Sequence, residues 1–195
     1  MLMTPDPSEE ILGVNFHVGS TSAAVDAALA GGLVLAPSGP GLAADLVESE
    51  AYRDALLQAD VNLTDSGFLL ALWQLKTGRK LPRLSGLGYL RTLLTHPDVM
   101  AAGGTFWVMP NAEEQTIHLK WLNSQGVQVT REDCYLAPFY PKGVIEDAAL
   151  IAQIEQRRPR LIILAIGGGV QERLGLTLAK RFSSHALVAR FWLST

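Results

Sequence analysis

The chain holds a single cysteine, Cys134, among its 195 residues. One thiol excludes an internal disulfide framework and a cysteine-rich zinc site. Charged residues are only 18% of the sequence, the formal net charge is −3, and no long basic run occurs. Nucleic acid is therefore not an expected partner. No apolar stretch reaches the roughly 20 residues that a membrane-spanning helix requires. Residues 1–10 carry Pro5, Pro7 and three acids instead of the basic and apolar regions of a secretory signal, which points to the cytoplasm. The histidines, His17, His96, His118 and His185, show no metal-ligand spacing, and no metal site is expected.

Apolar residues, by contrast, make up 48% of the chain, enough to build one α/β domain over residues 1–195 with a sizeable core. Short apolar runs at 11–14, 33–36, 61–63, 105–109, 127–130, 161–166 and 186–192 read as strands. Helical patterns at 42–59, 68–75, 89–94, 111–124, 146–157 and beyond 169 alternate with them. The 68–75 pattern is strongly apolar and predicts a buried helix. Asn111, three residues before Glu114, predicts a capped helix start, and Gly126 a helix end. The run at 161–166 is fully apolar, as a central parallel strand requires. The alternation predicts a Rossmann-like, doubly wound, largely parallel sheet of about six strands flanked by helices. Such sheets bind ligands at the carboxyl ends of their strands, where residues 37–41, 65–67, 109–111 and 167–171 would gather.

Several of these residues carry chemistry. Asp65, in Leu63-Thr64-Asp65-Ser66-Gly67, stands between a strand and a helix. A carboxylate there can take the proton of an attacking hydroxyl, or it can cap the following helix. Arg83, in Pro82-Arg83-Leu84-Ser85-Gly86, can grip a diphosphate through paired hydrogen bonds, or sit solvated beside Arg79 and Lys80. The turn Gly167-Gly168-Gly169 leads into a helix whose free N–H groups can receive a phosphate or sugar oxygen, or it merely allows tight packing. It lacks the spacing of a Walker or dinucleotide loop. Gln171 and Glu172 can bind sugar hydroxyls or occupy the first helical turn. Phe139 and Tyr140 can cover a sugar or uracil ring or pack in the core, and Cys134 reads as a packed thiol.

Taken in order, these segments resemble the WecG/TagA/CpsF family of glycosyltransferases, from Ile11-Leu12-Gly13-Val14 to about Phe182. The stretch from Ser49 to Gly67 is similar to the family's helix, strand and Asp-Gly turn. Leu81-Pro82-Arg83-Leu84-Ser85-Gly86 and Ile166-Gly167-Gly168-Gly169-Val170-Gln171-Glu172 resemble two of its binding loops. The resemblance implies transfer of a sugar, typically N-acetylmannosamine, from a UDP-sugar donor to a polyprenyl-diphosphate-linked acceptor sugar. The reaction inverts the anomeric centre, needs no metal or other cofactor, and serves cell-surface polysaccharide synthesis. The implied catalytic base is Asp65. The implied substrate-binding residues are Arg83, Gly86, Gly167, Gln171, Glu172 and Ser38, the last in place of a family threonine. A homo-oligomer and peripheral contact with the inner face of the membrane are also implied.

The sequence departs from the family pattern at the expected substrate edge. Ala36-Pro37-Ser38-Gly39-Pro40-Gly41 carries neither the asparagine nor the histidine of that pattern, and Met109-Pro110-Asn111 replaces a double glycine. The family's basic C-terminal appendage has no counterpart before Thr195. The alternatives to a transferase are a non-catalytic nucleotide-sugar-binding or regulatory module with the same fold, and an enzyme completed by a partner chain.

Overall fold

The computed structural model describes residues 7–37, 42–182 and 186–189. The chain opens with a hairpin, β1 (Ser8–Ile11) and β2 (Val14–His17), turned at Leu12 and Gly13. Both turn residues have positive φ, 55° and 77°, the backbone of a tight hairpin turn. Of the expected strand at 11–14, Leu12 and Gly13 are the turn, while Ile11 ends β1 and Val14 begins β2. A parallel bridge from His17 to Leu63 ties the hairpin to the main sheet.

The main sheet consists of β3 (Leu33–Leu35), β4 (Val61–Asn62), β5 (Thr105–Met109), β6 (Cys134–Leu136), β7 (Leu161–Leu164) and β8 (Ala186–Ala189). Their spatial order is β4-β3-β8-β7-β5-β6 and every pairing is parallel. Side chains alternate between two apolar clusters, as the period of a strand dictates. Leu33, Leu35, Phe106, Val108, Ile162 and Leu164 enter one cluster. Val34, Trp107, Met109, Leu161 and Ile163 enter the other.

Helices cover both clusters. On the first lie α3 (Glu50–Gln58), α8 (Ala148–Arg157) and α9 (Val170–Arg181). On the second lie α1 (Thr21–Leu29), α5 (Gly86–Leu93), the short α6 (Pro97–Met100) and α7 (Ala112–Ser124). The α/β class and parallel pairing follow the sequence pattern. The run at 161–166 becomes β7, hydrogen-bonded to strands on both sides. Asn111 caps α7 through Oδ1, which accepts from the Glu114 N–H at 2.9 Å.

Three expectations are corrected. Helix 42–59 is broken into α2 (Leu42–Glu48) and α3 because extended Ser49 caps the second segment, its hydroxyl accepting from the Tyr52 N–H at 3.3 Å. Residues 127–130 form no strand, although Val127 and Val129 are buried; β6 starts later, after a short helical turn at Arg131–Asp133. Helix α4 (Gly67–Thr77) is not buried: Leu69 alone is fully enclosed, while Phe68, Leu72 and Leu75 stand exposed. Of the expected last strand at 186–192, residues 186–189 are β8, and the rest lies outside the described residues.

Candidate functional site

Because all six strands run the same way, the segments that follow them share one edge of the sheet. At the end of β4, Thr64 is buried and laces two loops together. Its hydroxyl donates to the Pro82 carbonyl at 2.8 Å and accepts from the Leu84 N–H at 3.2 Å. Ser66 caps α4, its Oγ accepting from the Leu69 N–H at 3.2 Å. The hydroxyl one residue later thus takes the capping role open to Asp65, and the aspartate is left for other partners.

Arg83 supplies the partner. Its Nε donates to the Asp65 carbonyl oxygen at 2.9 Å, and Nη2 lies 3.5 Å from Asp65 Oδ1. The Asp65 side chain is only 15% exposed, whereas that of Arg83 is 61% exposed. The guanidinium is therefore anchored at one end and open to solvent at the other, unlike an unattached loop arginine. Arg79, its neighbour in sequence, is engaged elsewhere, in a two-pronged pair with Glu9 at 2.8 and 2.9 Å. Gly86 opens α5 just after Ser85, whose hydroxyl accepts from the Gly88 N–H at 3.0 Å, and it is buried.

The second cluster stands at the end of β7. Gly167 is exposed, and a Cβ built there would meet nothing within 4 Å. Gly169 has φ +79° and opens α9; its N–H donates to Glu172 Oε2 at 2.7 Å. Gln171 and Glu172 occupy the first turn of α9, as one reading of the sequence has it, and are buried there, at 0% and 1% exposed. Gln171 Nε2 donates to Glu172 Oε1 at 3.0 Å, while Gln171 Oε1 finds no hydrogen-bond partner among the described residues. An unmade hydrogen bond of this kind costs about 1–3 kcal/mol.

Arg173, missed by the sequence reading, secures this loop. Nε donates to the Gly169 carbonyl at 2.7 Å, and Nη1 donates to the carbonyls of Pro141, at 2.9 Å, and Gly143. Burial holds its basicity below the ordinary arginine value, against the opposing pull of Glu172 and Asp45. No local signal marks it: three polar residues in a row on a helix can all face solvent, as Glu155, Gln156 and Arg157 do in α8.

A cleft of about 500 Å³ opens between the glycine loop, the start of α3 and residues 142–144. Asp45, Glu48, Glu50 and Asp54 line it, with Lys142 and Arg173 as the cations. Arg173 already serves backbone carbonyls, so this wall is acidic and repels a diphosphate. Asp65, Arg83 and Gln171 do not line it.

The structure thus groups the expected site residues at two corners of one edge: Asp65, Arg83 and Gly86 at β4, and Gly167, Gln171 and Glu172 at β7. Three strand spacings separate those strands, about 14 Å. Ser38, expected between them, lies outside the described residues. Phe139 is 96% exposed instead of packed in the core, whereas the Tyr140 hydroxyl donates to Asp147 at 2.6 Å. Burial, countered by a hydrogen bond from Gln115 and reinforced by Asp133, raises the Cys134 thiol to about 11, as for a packing residue. Among the described residues no group of three or more His, Cys, Asp or Glu side chains could hold a metal.

Comparison with protein families adds an independent finding. The profile of the glycosyl transferase WecG/TagA/CpsF family matches residues 9–190, a span that contains both corners. Among curated proteins none matches the chain significantly. With nearly its whole length matched, the chain belongs to the WecG/TagA/CpsF family of glycosyltransferases.

Proposed function

We propose that residues 1–195 form a single Rossmann-like, doubly wound domain that inverts the anomeric centre of a UDP-sugar as it transfers the sugar. The acceptor is a sugar linked to a polyprenyl diphosphate, and the product serves cell-surface polysaccharide synthesis. The carrying observation is the β4 corner: Ser66 relieves Asp65 of capping, and Arg83 holds the shielded carboxylate while exposing its own outer N–H groups. In the reaction an acceptor hydroxyl gives its proton to Asp65 as its oxygen bonds to the anomeric carbon. The bond from that carbon to the donor phosphate oxygen breaks, and UDP leaves with the electron pair. Arg83 receives diphosphate charge. The roughly 14 Å between the corners suits a donor with nucleoside, diphosphate and sugar parts, one end at Arg83 and the other near Gly167 and Gln171.

A second reading, a nucleotide-sugar-binding module without chemistry, draws on one observation. Gln171 and Glu172, both expected to bind the transferred sugar, hydrogen-bond each other in the interior instead. One pair of measurements separates the readings. In the transferase, UDP release in the presence of a lipid-linked acceptor falls about a hundredfold or more in Asp65→Asn, the scale of general-base catalysis. UDP-sugars raise the melting temperature of the wild type, and Arg83→Ala removes that shift. Binding with no Asp65-dependent turnover means the module; no binding of any UDP-sugar overturns both.

A further inference from the structure

We infer that α4 and the loop after it form a docking surface for an anionic lipid membrane. This inference deepens the proposed function, since it concerns the surface that adjoins Asp65. Phe68, Leu72 and Leu75 recur at the spacing of one helical face and are 63%, 46% and 84% exposed. Leu69 and the partly buried Trp73 pack the adjoining face, about 120° around the helix, on the core, so the apolar surface of α4 extends beyond what the core covers. The described residues leave the outer face uncovered, which is uncommon for three large side chains in one stripe.

Charge identifies the occupant. From Ser66 to Pro97 the sequence contains Lys76, Arg79, Lys80, Arg83 and Arg91 and no acidic residue, in a chain of formal net charge −3. Lys76 and Lys80 are exposed and free of described ion pairs; Arg79 pairs with Glu9, and Arg83 with Asp65. An exposed apolar stripe followed at once by cations is the pattern of a helix lying in a lipid interface, apolar side chains among the acyl chains and cations among anionic headgroups. A second copy of the chain fits poorly. A two-fold contact sets each patch against its own copy and brings like charges together. Ser66, the cap of α4, follows Asp65 directly, so docking by α4 brings Asp65 to headgroup level, where the diphosphate of a lipid-linked acceptor lies.

Co-sedimentation of the full chain with vesicles tests this without any substrate. Vesicles of phosphatidylcholine with phosphatidylglycerol should pellet the wild type, and vesicles of phosphatidylcholine alone should pellet far less. Leu72→Ser with Leu75→Ser, and separately Lys76→Glu with Lys80→Glu, should each weaken binding about tenfold or more, since one cation near an anionic surface is worth on the order of fivefold. Raising salt toward about 1 M should weaken wild-type binding, because screening then acts within about 3 Å. Unchanged circular dichroism and melting temperature establish that the variants fold. Failure of the wild type to bind anionic vesicles, or equal binding by the folded leucine variant, overturns the inference. So does a leucine variant that turns an oligomer into a monomer while binding vesicles normally, which would assign the stripe to self-association. Because vesicle binding involves neither UDP nor turnover, it can fail while transferase activity stands, and the reverse.

Discussion

At the scale of single residues, the polar groups that matter are those whose hydrogen bonds are complete or pointedly incomplete. Asp147 is complete. It caps α8 by accepting from the Leu150 N–H at 2.9 Å, and it receives the hydroxyls of Tyr140 at 2.6 Å and Tyr135 at 2.9 Å. Burial alone would raise its pKa. The Tyr140 hydroxyl, the Leu150 N–H, the Tyr135 hydroxyl and the Ala149 N–H outweigh burial and hold it below the ordinary aspartate value. The unfolded chain therefore takes up the proton first as pH falls. The carboxylate's contribution is full above the ordinary aspartate range near pH 4 and fades as pH falls through that range toward the lower folded value. Asp147→Ala should cost about 3 kcal/mol at neutral pH, a cap plus two hydrogen bonds to a charged group. Wild type should lose more stability than Asp147→Asn between about pH 6 and pH 3, read from urea midpoints. Asp65 shows how far sequence reaches at this scale. Two roles were visible, but Asp65 and Ser66 both suit a helix cap, and only the backbone geometry at Ser66 decides between them.

At the scale of elements, close approach decides what fits. Gly175 lies on the buried face of α9, where an added Cβ would stand 3.3 Å from Leu33 Cδ1, 3.6 Å from Leu164 Cδ1 and 3.7 Å from Leu35 Cδ2. The missing side chain lets the helix press onto β3 and β7. Gly175→Val should therefore destabilise the protein by about 1–3 kcal/mol through overpacking, measured by urea denaturation. Elements buried on both faces were the most legible in the sequence, because a continuous apolar run such as Leu161–Leu164 has few other uses. The errors share a cause. Val127 and Val129 are apolar because they are buried, not because they are strand. Helix α4 is apolar on a face that the described residues do not cover. Local pattern reports burial or an apolar demand, and only the tertiary arrangement says which element meets it or what lies opposite. Arg173 escaped notice for the same reason, since its partners at Pro141 and Gly143 come from a distant loop.

At the scale of the molecule, one ladder joins everything. Strand β8 pairs with β3 on one side and β7 on the other, so the β4-β3 and β7-β5-β6 parts of the sheet are hydrogen-bonded together only through it. Proline at Val188 removes an N–H donor from the middle of that ladder, a position where sheets do not accept it. Val188→Pro should abolish the single cooperative urea transition, not merely lower its midpoint. The site shares this dependence, because the β4 and β7 corners are held at their spacing by the two strands between them.

The same strand order constrains how the protein is born. During synthesis β3 and β4 leave the ribosome long before residues 186–189, and so do β5, β6 and β7. Until the last strand emerges, two partial sheets each carry an open parallel edge waiting for the same partner. Such edges recruit foreign strands, and long-range parallel pairing closes slowly. The nascent chain is thus most exposed to misassembly until residues 186–189 emerge, and a chaperone that binds extended apolar segments would be needed most before that moment.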